Sequence, residues 1–313
     1  MSAKPKKDFL SISQLNTTEL SDMLNLAIKL KREWKNGGNP QWLKGKSLGM
    51  IFTKPSLRTR ISFEMGMLDL GGHAIYIGPD EIKLGQRESV PDVARVLARY
   101  VDCIMARVFA HSDVVTLAQY AHVPVINGLS DYEHPCQCLA DLVTMIERKG
   151  SLKGLQVTYV GDSNNNISNS LALGVTLLGG HISFASPHGY QISGEVVEQA
   201  RNYAALNGGS VTVLEDARSA VESADVIYTD SWYSMGQENE AAQRRRIFPP
   251  YQVNEKLVSL AKADAIIMHD LPAHRGEEIT DEVADGPQSV IFDQAENRLH
   301  AQKAVLARVF DVA

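Results

Sequence analysis

A chain of 313 residues, 44% hydrophobic and 22% charged, is long enough for about two domains that each bury a core. With 31 basic and 37 acidic side chains the net charge is −6, which argues against nucleic acid as a partner, and the composition fits neither disorder nor a fibrous repeat. Three poorly spaced cysteines (Cys103, Cys136, Cys138) make no disulfide framework, and no signal-like stretch or run of roughly 18 apolar residues appears, so a soluble, cytoplasmic globular protein with no membrane partner is expected.

The first predicted element is a helix that Asn16 caps, with Glu19 three residues on and Leu20, Met23, Leu24, Ala27 and Ile28 on one apolar face. Short apolar runs at 48–53, 74–77, 103–107 and 124–127 read as strands. Cys103 lies within one of them as a small core residue. A second set of strands falls at 156–160, 182–185, 211–214, 226–229, 265–269 and 290–292. Helical stretches at 90–100, 135–147 and 196–205 lie between them, and a last helix over 295–310 buries Leu299, Val305, Leu306 and Val309. Strands that are apolar nearly throughout, separated by helices, indicate an α/β protein with mostly parallel sheets covered on both faces. No solenoid repeat or low-complexity linker interrupts the pattern. Two polar loops, 78–91 and 230–250, exceed what a plain connection needs and are candidate binding loops at a sheet's carboxyl edge.

The segment Lys54-Pro55-Ser56-Leu57-Arg58-Thr59-Arg60 follows a strand and opens a helix. A helix start offers free N–H groups and partial positive charge; Ser56 and Thr59 add hydroxyls, and Arg58 adds a fork that matches phosphate oxygens. A phosphate is the natural guest, whereas the plain alternative is an N-cap beside surface arginines. No Walker motif and no G-x-G-x-x-G is present. His134-Pro135-Cys136-Gln137-Cys138 also stands at a strand's carboxyl end. One reading is a metal site from His134, Cys136 and Cys138, although C-x-C is not a common zinc spacing; the other is a pair, His134 and Gln137, donating to a carbonyl.

Together, Ser-x-Arg-Thr-Arg and His-Pro-x-Gln resemble the aspartate/ornithine carbamoyltransferase superfamily, over nearly the whole chain. Asp230-Ser231-Trp232-Tyr233-Ser234-Met235-Gly236 and His269-Asp270-Leu271-Pro272 resemble its ornithine branch. The resemblance implies two open α/β domains facing each other across an active-site cleft. Residues 1–133, with the closing stretch 287–313 packed back on them, would bind carbamoyl phosphate, and 134–286 would bind ornithine. It implies that Ser56, Arg58, Thr59 and the backbone of Leu57 hold the phosphate, and that Arg107 bridges phosphate and carbonyl oxygen. His134 and Gln137 would bind the carbamoyl group, with Arg298 completing the pocket. Asn166, Asp230, Ser234 and Met235 would hold ornithine's α-amino and carboxylate groups, with Asp270 and Leu271 beside them.

The implied reaction is attack by the neutral δ-amine of L-ornithine on the carbonyl carbon, giving L-citrulline and phosphate. Arg58, Arg107, Arg298 and His134 would supply fixed positive charge and donors where negative charge grows. No metal, cofactor or covalent intermediate is required. The amine is the difficulty, since by analogy with lysine only about one molecule in a thousand is neutral at pH 7. The implied assembly is a homotrimer or a multiple of trimers.

Three places depart from the family pattern. Asp270 stands where the ornithine branch has Cys, so it either binds the incoming ammonium and accepts its proton, or points at a backbone donor or Arg275 and only shapes the loop. Lys83 stands in place of Gln and either reaches a phosphate across a subunit interface or is a solvated lysine. Leu57 takes a position often held by Thr. The run Arg244-Arg245-Arg246 reads as a solvated helix face, with a phosphate site or help in closing a lid as the alternatives. Other acceptors (putrescine or an acylated ornithine) and a catalytically silent binding paralogue are the rival readings; the intact Ser-Met-Gly loop and the retained Arg58, Arg107 and His134 argue against them.

Overall fold

The computed structural model describes residues 6–233 and 238–313, which divide into two compact units, Met1–Ala140 with Glu296–Ala313, and Asp141–Ala295. In the first unit the helix Thr17–Lys35 begins with a reciprocal cap. Asn16 Oδ1 accepts from Glu19 N at 2.9 Å, and Glu19 Oε2 accepts from Asn16 N at 3.0 Å. Such a cap contributes about 1 kcal/mol. Leu20, Met23, Leu24, Ala27 and Leu30 form the buried face, with Ile28 half-buried at its margin.

Four parallel strands follow: β1 (Ser47–Phe52), β2 (His73–Ile77), β3 (Cys103–Arg107) and β4 (Val125–Leu129), in the order β2-β1-β3-β4. The inner strand β3 is buried at every residue and β1 at all but its first, as two-sided helix cover requires. From β1 the chain goes to one side for β2, then returns to the other for β3 and β4. That reversal opens a crevice at the carboxyl ends of β1 and β3, where Phe52 pairs in register with Arg107.

The second unit repeats the device with β5 (Gln156–Val160), β6 (His181–Ala185), β7 (Ser210–Leu214), β8 (Val226–Thr229) and β9 (Ile266–His269), in the order β7-β6-β5-β8-β9. All are parallel, and the reversal falls between β5 and β8, with Val160 opposite Thr229 and Thr229 opposite His269. The turns leaving β5, β8 and β9 therefore lie side by side. The apolar core under them includes Val160, Ile227, Trp232, Phe248 and Ile267.

The expected strand at 290–292 does not form. Val290 N donates once to Ile267 O, at 3.0 Å, and Ile291 then opens the helix Ile291–Val309 with its own side chain buried and Phe292 exposed. A three-residue apolar run carries too little period to separate a strand from a buried helix start. In that helix Val305, Leu306 and Val309 are buried and Leu299 is half-buried. The unit boundaries fall inside the helices Pro135–Lys149 and Ile291–Val309, so His134 and Gln137 belong to the first unit and residues 287–295 to the second. All three cysteines are free and buried. No described helix is long and apolar enough to cross a membrane.

Candidate functional site

At the β1/β3 switch point, Ser56 adopts an extended conformation (φ −160°) and caps the helix Leu57–Asp69, accepting from Thr59 N at 3.3 Å. The first turn of a helix supplies amides with no partner inside the helix, here beside the Ser56 hydroxyl. Leu57 is 75% exposed, so only its backbone is available to that site. Thr59 is fully buried, and its Oγ1 accepts from Arg298 Nη2 at 2.8 Å and from Arg107 Nη1 at 3.4 Å. Arg298 Nη1 donates to Gln137 Oε1 at 2.9 Å. Arg107, Arg298, Gln137 and His134 are all buried, and Arg58 lies half-buried one residue before Thr59. Two buried guanidinium groups meeting on one hydroxyl oxygen repel each other, and a dianion bound beside them offsets that cost.

His134 departs from expectation in one respect. Burial, then Arg298, Arg107, Lys54 and Arg58, hold its pKa well below the usual histidine value. The lowered pKa favours the neutral ring, which offers hydrogen bonding in place of a fixed positive charge. The metal reading of this segment fails as well. Cys136 Sγ instead donates to Asn127 O at 3.4 Å, and the described cluster whose potential ligand atoms come together is Asp230, His269 and Asp270.

Lys54, part of the same motif but given no role above, belongs to this field. Its ammonium lies 4.5 Å from the Phe109 ring centroid, and burial followed by repulsion from Arg107 lowers its pKa to about 8. Lys83, by contrast, is exposed at the left-handed end (φ 40°) of the short helix Pro79–Ile82, and among the described residues no hydrogen bond or ion pair joins it to the cluster.

In the second unit three neighbouring turns supply the side chains. After β5, Asn165 caps the helix Asn166–Leu177 by accepting from Ser168 N at 2.9 Å, and its amide donates to Tyr159 Oη and Asp162 O, both at 2.9 Å. That fixes the turn on which Asn166 stands. After β8, Asp230 accepts from Ser231 N at 2.6 Å. After β9 comes Asp270, a carboxylate oxygen of which lies within 4.8 Å of one of Asp230. Burial, then the charge of Asp270, raises Asp230 well above the usual carboxylate range.

The turn carrying Asp270 is held from beneath. Leu271 has φ 61°, and its N–H donates to His269 Nδ1 at 2.9 Å. With Nδ1 accepting, the ring proton is on Nε2, which donates to Glu278 Oε1 at 3.0 Å. Both members of this pair are fully buried. Ser231 Oγ donates to Pro272 O at 3.1 Å and ties the β8 turn to the β9 turn. Arg275 pairs with Asp281 and Asp285, which removes the alternative in which it holds Asp270. Potential metal-ligand atoms of Asp230, His269 and Asp270 lie within 4.8 Å of one another. The lone pair of His269 Nδ1 is already taken by Leu271, so the trio suits an ammonium group better than a metal ion.

Ser234 and Met235 lie outside the described residues. Arg244 contradicts the reading of its run as a solvated face: it is buried and paired with Asp162, whereas Arg245 is exposed and paired with Glu277 at 2.8 Å. Lys54, Glu278 and Arg244 were not singled out from the sequence as contributors. Only Lys54, lying two residues before the Ser56 cap, carried a local signal.

Comparison with known proteins gives the same picture. Residues 7–147 match the family described as aspartate/ornithine carbamoyltransferase, carbamoyl-P binding domain, and residues 153–309 match its Asp/Orn binding domain. Proteins named ornithine carbamoyltransferase from Thermococcus kodakarensis and, as the anabolic form, from Pyrococcus furiosus are each 54% identical, over 97% of this chain and 96% of theirs. The solved structure of the Pyrococcus furiosus ornithine carbamoyltransferase superposes with a TM-score of 0.93 at 53% identity, covering 98% of both chains. That of the anabolic enzyme from Campylobacter jejuni gives 0.92 at 37% identity, covering 98% of this chain and all of the other. With both halves matched and the identity running end to end, the chain belongs to the aspartate/ornithine carbamoyltransferase family.

Proposed function

We infer that the chain transfers the carbamoyl group of carbamoyl phosphate to the δ-amine of L-ornithine, releasing L-citrulline and phosphate. The observation that carries this reading is the Thr59-centred cluster, in which Arg107 and Arg298 converge with Gln137 and His134 as a donor set for a dianion joined to a carbonyl. Ser56, Arg58, Thr59 and the Leu57 amide take the phosphate, Arg107 spans phosphate and carbonyl oxygen, and His134, Gln137 and Arg298 orient the carbamoyl group. His134 acts as a neutral hydrogen-bond donor. Negative charge growing on the carbonyl oxygen meets donors already in place, the largest usual source of acceleration in acyl transfer.

Asn166 and Asp230 hold the carboxylate and amino groups of ornithine. Asp270, close to Asp230, binds the δ-ammonium and takes its proton before attack; the Asp230–Asp270 contact supports a shared acid–base role. The name of the Pyrococcus furiosus relative supports the biosynthetic direction, and three free buried thiols suit a reducing cytoplasm.

A homotrimer is the proposed assembly. Leu57, Ile61, Met65 and Leu68 stand exposed at helical spacing on one face of Leu57–Asp69, and Ile75 stands exposed on the edge strand β2. An apolar stripe of this kind marks a contact surface. An amine panel tests the activity: citrulline from ornithine, with little product from putrescine, aspartate or acetylornithine, is expected. Preference for another amine would change the acceptor, and no turnover with any amine would leave a silent binding paralogue.

A further inference from the structure

Arg244 is anchored far more heavily than a helix-surface arginine needs. Its Nη1 donates both to Asp162 Oδ2 and to the carbonyl of Trp232, while Nε and Nη2 donate to Glu240 Oε2 at 3.0 and 2.9 Å. The guanidinium carbon lies 4.8 Å from the Tyr190 ring centroid and 5.9 Å from that of Phe248, and Trp232 stacks on Phe248 at 5.7 Å. Arg244 and Asp162 are both buried.

These partners stand on the two turns that carry the proposed amino-acid contacts. Asp162 follows β5 and accepts from Asn164 N at 2.9 Å through Oδ1, while its carbonyl receives the Asn165 amide. It thereby shapes the turn that presents Asn166. Trp232 lies two residues beyond Asp230 on the turn after β8. Hydrogen bonds between β5 and β8 hold the strands in register up to Val160 and Thr229 but not the turns beyond. One guanidinium nitrogen, Nη1, bridges the carboxylate of one turn and the carbonyl of the other while Nε and Nη2 fix the plane on Glu240, a set of contacts that a lysine ammonium cannot reproduce with the same geometry.

We propose that Arg244 is a positioning residue for amino-acid recognition, a buried cross-brace that sets the distance between the Asn166 turn and the Asp230 turn. The inference rests on the ornithine reading of those turns. It predicts that Arg244→Gln and Asp162→Asn each raise the KM for ornithine at least about tenfold and leave the KM for carbamoyl phosphate within about twofold, because that site is built wholly from the first unit. Arg244→Lys falls between them and the wild type.

Breaking one side of a buried ion pair also destabilises the fold, so a second variant separates the effects. Arg244→Met combined with Asp162→Leu removes both charges; it is expected to recover thermal stability lost in the single variants yet keep the raised ornithine KM. A purely structural role predicts the opposite, with the KM returning as stability returns, and that result overturns the proposal. So does a single variant whose ornithine KM stays within about twofold of wild type, or one in which both KM values rise together.

Hydrogen exchange gives a readout that needs no activity. Arg244→Gln should speed exchange at residues 161–166 and 230–233 together and leave 54–59 unchanged; unchanged exchange in the first two overturns the brace. Failure of the wild type to make citrulline would defeat the substrate reading and leave this exchange result to judge the brace alone.

Discussion

Asp230, raised, and Lys54, lowered, are the groups whose shifts should set how the reaction answers to pH. Burial and then the neighbouring charge of Asp270 raise the pKa of Asp230. A carboxyl pair attracts an ammonium less as it takes up protons, so kcat/KM for ornithine should fall as Asp230 is protonated. Asp270→Asn removes the charge that raises Asp230. Its acid limb should move to lower pH, with the ornithine KM rising about tenfold or more as one counter-charge is lost. A pH profile superimposable on the wild type would remove Asp270 from the site. Lys54 is charged below about pH 8 and neutral above it, and an anion binds better to the charged form. Affinity for inorganic phosphate should therefore weaken as pH rises through about 8, and Lys54→Met should flatten that slope between pH 7 and 9. A slope that persists in Lys54→Met would place its origin elsewhere.

Elements account for what could and could not be read before folding. Parallel strands buried on both faces are apolar almost throughout, which is why nine of them emerged within a residue or two of their ends. The helix starts at Asn16 and Ser56 were legible because a cap is local chemistry. The Asp230–Asp270 contact was not, because it exists only when β8 and β9 become neighbours. Arg244 was hidden by Arg245 and Arg246, since three arginines in a row say nothing about which one a short helix turns inward. The lowered pKa of His134 arises from burial and then from four cations on three segments, Arg298, Arg107 and the pair Lys54 and Arg58. One element carries its own prediction: the exposed stripe on Leu57–Asp69 should be covered in the assembly. Ile61→Asp with Leu68→Asp should convert a particle of three times the 34.4 kDa chain mass to a monomer in sedimentation. An unchanged mass would place the subunit contact on another face.

Across the whole molecule, buried histidines set the acid limit. His134 is held well below its ordinary value, and burial with Lys303, Lys31 and Lys35 lowers His300 to about 3. A histidine whose folded pKa is depressed binds fewer protons than in the unfolded chain, so its contribution is complete above about pH 6.5 and is lost as pH falls. Each should add a slope of about 1.4 kcal/mol per pH unit below that point. His300→Phe should shallow the loss of stability between pH 6 and 4 in denaturant titrations, and an equal slope would contradict the assignment.

The central claim is that buried guanidinium groups of the first unit grip a dianion carrying a carbonyl. Calorimetric titration of carbamoyl phosphate into the full chain and into Arg298→Met tests it most directly. One site per chain is predicted, with affinity about a hundredfold weaker in the variant. Equal affinity in the two proteins, or no heat in either, would contradict the account.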